Sequence, residues 1–105
     1  MTEIILGKRN SGKTTELIKR SAKDGIYILT NTSAQARLIF DQAKRMGYDI
    51  PFPVSWNDFT RTAFLGSSIR KDGLLIDQAD MLLSRIFGNI PIHAVTWTEG
   101  DETND

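Results

Sequence analysis

Two short stretches of this 105-residue chain hold residue types in an order that can do phosphate chemistry. The first is Gly7-Lys8-Arg9-Asn10-Ser11-Gly12-Lys13-Thr14, which fits the spacing G-x-x-x-x-G-K-[ST] at every fixed position. Glycines at both ends of such a loop permit backbone angles and close approaches that a Cβ would hinder, so successive N–H groups can converge on phosphate oxygens. A helix opening at the second glycine adds the positive end of its dipole. Lys13 supplies a compact cation for the β- and γ-phosphates, and the Thr14 hydroxyl is placed to ligate magnesium. At ordinary residue usage the string arises by chance in roughly one of a few hundred chains this long. Lys8 and Arg9 read either as loop-solvating charges or as direct phosphate contacts, and Thr15 either as a helix-start residue or as a neighbour of the α-phosphate.

The second stretch is Leu74-Leu75-Ile76-Asp77-Gln78-Ala79-Asp80, an aliphatic run that closes on a carboxylate. Alone it is a common strand end. Behind a phosphate loop, its Asp77 is placed to hold the water shell of magnesium. Gln78, beside that carboxylate, is a neutral amide. An amide orients water but accepts protons poorly, so turnover should be slow without help. The body has no glutamate nearby, only Glu3 and Glu16. Asp80 reads as an outer acid or as the cap of a following helix.

The elements that position these residues follow from the apolar pattern. Short aliphatic runs alternate with stretches of helical period, the pattern of βαβ units and a parallel sheet. Strands are expected at Glu3-Ile4-Ile5-Leu6, at Ile26 to Thr30, at Gly73 to Ile76 as a central strand, and at Ile92 to Thr98. An edge stub is expected within 50–55, where Pro51 and Pro53 lack donors. Helices are expected at Gly12 to Lys23 with a stop at Gly25, and at Ser33 to Met46 with the stripe Ala36, Ile39, Phe40, Ala43 and Met46 before Gly47. Two more are expected at Asn57 to Leu65, capped by Asn57 or Ser55, and at Ala79 to Phe87 with Ala79, Leu82, Leu83 and Ile86 inside. Gly66 to Gly73 reads as a polar loop. The last strand would end at Thr96 to Thr98, whose threonines read either as a sensor of the γ-phosphate or as plain surface residues. Trp56, Trp97 and His93 read as structural residues.

Composition bounds the rest. Zero cysteines exclude disulfides and thiolate zinc sites, and one histidine makes no metal cluster. No apolar run approaches the roughly 20 residues of a membrane span, and the acidic start is unlike a signal sequence, so a cytoplasmic protein with no membrane partner is expected. Four of the thirteen acids (Glu99, Asp101, Glu102, Asp105) lie in the last seven residues, leaving thirteen bases against nine acids over 1–98. That mild excess suits a polyphosphate ligand but is too scattered for a nucleic-acid footprint. One domain is expected over 1–98, with a flexible acidic tail at 99–105.

On these motifs the chain resembles P-loop NTPases, with Gly7 to Thr14 as Walker A and Leu74 to Asp77 as Walker B. Ser11 to Ile18 is similar to the loop of type II thymidine kinases, although the chain lacks the cysteines of their zinc lasso and their catalytic glutamate. Residues 4–98 resemble, in order, the first RecA-like domain of superfamily 1 and 2 helicases and related phage ATPases, with Leu75-Ile76-Asp77-Gln78-Ala79-Asp80 as their acidic box. The resemblance implies an α/β fold, a three-layer P-loop NTPase sandwich with a mostly parallel sheet of four or five strands. It favours a sheet with the sensor strand between the cradle and Walker B strands, and it places Asn31 and Thr32 where such domains touch single-stranded nucleic acid.

The expected ligand is a nucleoside triphosphate, ATP with Mg2+, in contact with Gly7, Lys8, Arg9, Asn10, Ser11, Gly12, Lys13, Thr14 and Thr15. Thr14 and Asp77 face the metal, and Lys13 and Gln78 serve catalysis. The expected function is magnesium-dependent ATP binding with slow or partner-stimulated hydrolysis in phage or mobile-element DNA metabolism. A non-hydrolysing adaptor and a reduced nucleoside kinase are the alternatives. Since a lone half-motor cannot translocate, the expected partners are DNA, a DNA-processing protein or further copies of the chain. No base-recognition motif separates adenine from guanine.

Overall fold

The computed structural model describes residues 2–8, 12–61 and 68–98. Three parallel strands stand in the order β2-β1-β3, where β1 is Tyr27–Thr30, β2 is Val54–Ser55 and β3 is Leu74–Ile76. The chain is an α/β protein with five helices among the described residues: α1 (Lys13–Asp24), α2 (Ser33–Arg45), α3 (Trp56–Arg61), α4 (Ser68–Asp72) and α5 (Ala79–Ile86). Tyr27, Ile28 and Leu29 pair with Leu74, Leu75 and Ile76, and Leu29 and Thr30 pair with Val54 and Ser55.

Alternation along β1 sends its side chains to opposite faces. Ile28 joins Leu17 and Ile18 of α1, Ile39 and Ala43 of α2, and Ile50 in one buried cluster, with Leu75 packed against it. Leu29 joins Val54, Ile69 and Leu82 in a second, edged by Tyr27, Trp56, Phe59 and Leu74. Helices therefore cover both faces of the sheet. At about 25 cal/mol per Å2 of apolar surface, each fully buried Ile or Leu contributes about 1.5–3 kcal/mol.

The helix stripe of α2 packs as its spacing predicts: Ala36, Ile39 and Ala43 are buried, with Phe40 and Met46 against the first cluster. Its start is fixed by Thr32, whose Oγ1 accepts from the Gln35 N–H at 3.1 Å. Ser55 Oγ accepts from the Asp58 N–H at 3.2 Å and so caps α3, one of the two caps expected. The last four residues predicted for that helix, 62–65, lie outside the described residues. The α1 helix ends at Gly25, whose left-handed φ of 71° lets its N–H reach the Ser21 carbonyl at 2.8 Å.

Several expectations are corrected. Glu3 to Leu6 forms no strand. The segment is held by side chains instead: Glu3 pairs with Arg20 Nη1 at 2.8 Å and Ile5 packs on the first cluster, while Leu6 is 88% exposed. Ile92 to Thr98 forms no strand either, and it leaves His93 and Trp97 exposed rather than built into a core. With neither segment in the sheet, β1 rather than Leu74 to Ile76 is central, and Ile76 on the outer strand is 42% exposed. Among the described residues the sheet thus has three strands, not four or five, and neither a cradle strand nor a sensor strand flanks β3.

The stretch read as a loop before Gly73 contains α4, ended by the Gly73 N–H on the Ile69 carbonyl at 2.8 Å. Ile69 is buried in the second cluster, a single apolar residue whose burial no periodicity announces in so short a helix. On α5 only Leu82 is buried, with Leu83 half-buried and Ala79 and Ile86 exposed. This eight-residue helix enters the second cluster through Leu82 alone, so its flanks stay in solvent.

Candidate functional site

The carboxyl ends of β1 and β3 and the start of α1 meet at one edge of the sheet. Gly12 opens α1 with φ 89° and ψ 11°, a left-handed conformation that a residue with a Cβ adopts at a cost. A Cβ built there meets nothing within 4 Å, so the backbone angle alone is what this position demands of the protein. No side chain caps α1, which leaves the amides of its first turn to other acceptors.

Lys13 is the first residue of α1, and its Nζ donates to the Gly7 carbonyl at 2.7 Å and the Lys8 carbonyl at 2.6 Å. The ammonium thereby spans the glycine end and the helix end of the loop. Thr14 Oγ1 donates to Asp77 Oδ1 at 3.0 Å, joining residues sixty-three positions apart in the chain. Thr15 faces elsewhere: its Oγ1 accepts from Gln42 Nε2 at 3.3 Å and ties α1 to α2. Gly7 and Lys8 are exposed, and Arg9, Asn10 and Ser11 lie outside the described residues.

Asp77 is 3% exposed, and its backbone N–H extends the β1–β3 ladder by donating to the Leu29 carbonyl at 2.9 Å. Its second carboxylate oxygen, Oδ2, is buried with no hydrogen-bond partner. Desolvation pushes the Asp77 carboxyl above its ordinary range; the Thr14 hydrogen bond and the charge of Lys13 pull the other way, and Asp80 adds to the rise. Gln78 follows in the left-handed region at φ 57° and ψ 53°, exposed, as the uncapped entry to α5. Asp80 lies exposed in the first turn of α5, a favourable place for an acid near a helix dipole.

The structure brings together Thr14 and Asp77 of the residues singled out in the sequence, with Lys13 adjoining them at the start of α1. The sequence does not anticipate Thr30, and it places Asn31 at a nucleic-acid contact rather than here; both are buried at the carboxyl end of β1 with side-chain oxygens unpartnered. Nor does it anticipate Arg85, whose Nη1 donates to the Asn31 carbonyl and whose Nη2 donates to Asn57 Oδ1 at 3.2 Å. The end of a strand before a polar turn was a signal for Thr30; nothing in the sequence singles out Arg85. Thr96 to Thr98 lies in a segment without regular structure, so among the described residues no sensor strand stands beside the loop.

Among the described residues no three His, Cys, Asp or Glu side chains gather around a common point. A cation here would rest on the oxygens of Asp77 and Thr14, with water and phosphate completing its shell, a donor set suited to magnesium. The unpartnered Asp77 Oδ2 fits such a role, because a buried carboxylate oxygen is costly unless something binds it. No helix among the described residues is long and apolar enough to cross a membrane. Comparison with protein-family models, with curated proteins and with solved structures returns no match to this chain.

Proposed function

We propose that this chain is a P-loop protein that binds a nucleoside triphosphate, taken to be ATP, with magnesium, in a three-layer sandwich of the P-loop type. The observation that carries the reading is the 3.0 Å hydrogen bond from Thr14 to Asp77. A threonine following a G-x-x-x-x-G-K loop and an aspartate closing a distant strand have no common reason to meet unless they serve one ligand. In this reading the first amides of α1 and the Lys13 ammonium receive the phosphates, Lys13 exchanging its two carbonyl acceptors for phosphate oxygens. Thr14 and Asp77 hold the metal side. Magnesium held there would draw charge off the phosphates.

Hydrolysis is slow or depends on a partner, since Gln78 is exposed and carries no charge. The biological setting we infer is phage or mobile-element DNA metabolism, with DNA, a DNA-processing protein or further copies of the chain as partners. Thr32 is exposed but Asn31 is buried, so of the pair only Thr32 is on the surface for such contacts. A non-hydrolysing adaptor is the second reading, favoured by Gln78. Calorimetric titration with ATP, GTP and ADP, with and without magnesium, tests the assignment. ATP affinity that rises with magnesium supports it, and no affinity for any of the three refutes it. Phosphate transfer to thymidine would instead favour the kinase alternative.

A further inference from the structure

We propose that Thr30 belongs to the same site: the Thr30 hydroxyl, with Asp77 Oδ2, receives the water shell of the magnesium ion that enters with the triphosphate. The inference rests on the nucleotide-binding reading above and names a residue that neither phosphate motif contains.

Among the buried side-chain oxygens and nitrogens of the described residues, Thr30 Oγ1, Asn31 Oδ1 and Asp77 Oδ2 are left without a hydrogen-bond partner. All three residues are more than nine-tenths buried, with Thr30 at 0%, Asn31 at 8% and Asp77 at 3% exposure. Their concentration is not scattered bad luck of packing, because all three stand at the carboxyl edge of the parallel sheet, where open α/β sheets bind ligands.

Register brings Thr30 and Asp77 together. Leu29 pairs with Ile76, and the Asp77 N–H continues the ladder onto the Leu29 carbonyl, so Thr30 stands opposite Asp77. Side chains two residues apart on a strand share a face. Ile28 and Leu75 pack toward α1 and α2, which sets Thr30 and Asp77 on the α1 face, where Thr14 reaches Asp77. The contrast with Ser55 is instructive: this β2 partner of Thr30 is equally buried, yet its hydroxyl is engaged by the Asp58 N–H.

Asn31 is one step further along, and by the same alternation it belongs to the opposite face, that of α5 and α3. Its carbonyl is taken by Arg85 Nη1, and the same guanidinium holds Asn57 Oδ1, so its backbone is clamped to α5 and α3 while Oδ1 stays unused. Fold alone gives the Thr30 hydroxyl and Asp77 Oδ2 no occupation. Valine would fill the Thr30 volume and suits a strand at least as well, without the cost of an unmatched hydroxyl. A hydrated magnesium ion supplies what they lack, since it keeps several waters that donate to surrounding oxygens.

The test uses Thr30→Val and Thr30→Ser in the full chain, read by melting temperature without ligand and by calorimetric titration of ATP with and without magnesium. If the hydroxyl serves the metal's water, the Val variant melts higher by about 4–8 °C, because an unsatisfied group is gone. Its metal-free ATP affinity stays at the parent value, and the magnesium enhancement falls roughly three- to tenfold. The Ser variant keeps the enhancement although it loses a buried methyl. A Val variant with parent-like magnesium enhancement overturns the proposal while leaving the cradle reading intact. A Val variant that melts below the parent also overturns it, since the hydroxyl would then have a partner inside the fold. A parent protein without ATP affinity overturns the cradle reading, and this inference with it.

Discussion

Replacing Asp77 by asparagine separates what this carboxylate costs the fold from what it does for a ligand. The side chain is 3% exposed, one oxygen accepts from Thr14 at 3.0 Å, and the other has no partner. Burial raises its pKa above the ordinary 3.8, outweighing the Thr14 hydrogen bond and the Lys13 charge. A carboxyl whose pKa is raised on folding favours the folded state while it is protonated, and that contribution is lost as pH rises through the folded-state value. At pH 7 the ionised Asp77 is therefore a net cost to stability.

Asparagine keeps an Oδ1 to accept from Thr14 and removes the charge. A buried polar group without a partner costs about 1–3 kcal/mol, and more when charged. The new amide needs partners of its own, so the lower end of that range is the gain to expect. On a domain of this size about 1 kcal/mol moves the midpoint roughly 4–8 °C. Asp77→Asn should thus melt roughly 5 °C above the parent at pH 7, with the gap narrowing as pH falls toward and below the ordinary carboxylate range. Thermal melts followed by circular dichroism between pH 3 and 8 read this directly. The same variant should bind ATP without the magnesium enhancement of the parent. An Asn variant that melts below the parent at pH 7 would refute the reasoning, because Asp77 would then be held by the fold rather than for a ligand.

Lys13→Ala should weaken ATP binding roughly tenfold to a hundredfold in calorimetry, as charge-assisted hydrogen bonds contribute about 1.5–3 kcal/mol, whereas Lys8→Ala should change it little. Gln78→Glu should raise ATP hydrolysis by roughly two to four powers of ten if an otherwise competent site lacks only a base, measured as phosphate release at unchanged affinity; no rise would point to a dedicated binding module. Gln78→Gly should raise the melting temperature, since it relieves a left-handed backbone that costs a non-glycine residue about 1 kcal/mol.

The helical half of the fold was readable because its signals are local. The stripe of α2 and the stops at Gly25 and Gly47 need only the geometry of a single helix, and the structure shows both glycines at positive φ. Strands are different, since an aliphatic run becomes a strand only where a neighbour offers a ladder. Glu3 to Leu6 and Ile92 to Thr98 have the composition and lack the ladder, while Tyr27 to Thr30 has partners on both sides. The burial of Ile69 was hidden for a related reason, because one apolar residue in a five-residue helix makes no periodic pattern.

The site divides along the same line. Lys13, Thr14 and Asp77 could be singled out from the sequence by their types and spacing, and the side chains of Thr14 and Asp77 do meet in space, while Lys13 reaches back to the carbonyls of Gly7 and Lys8. Thr30 could not, because a threonine at the end of a strand has the same appearance whether its hydroxyl is satisfied or idle. Only the register with β3 and the accounting of partners show the difference. The residues that define a phosphate site by motif are those that touch phosphate, whereas those that shape its water are fixed by which strand lies next to which. Here β1, not a strand preceding the loop, lies beside β3, so the polar atoms facing the Asp77 side of the site come from a segment that carries no motif. Substitutions at the end of β1 should therefore trade fold stability against magnesium response, as the Asp77 change does from the neighbouring strand.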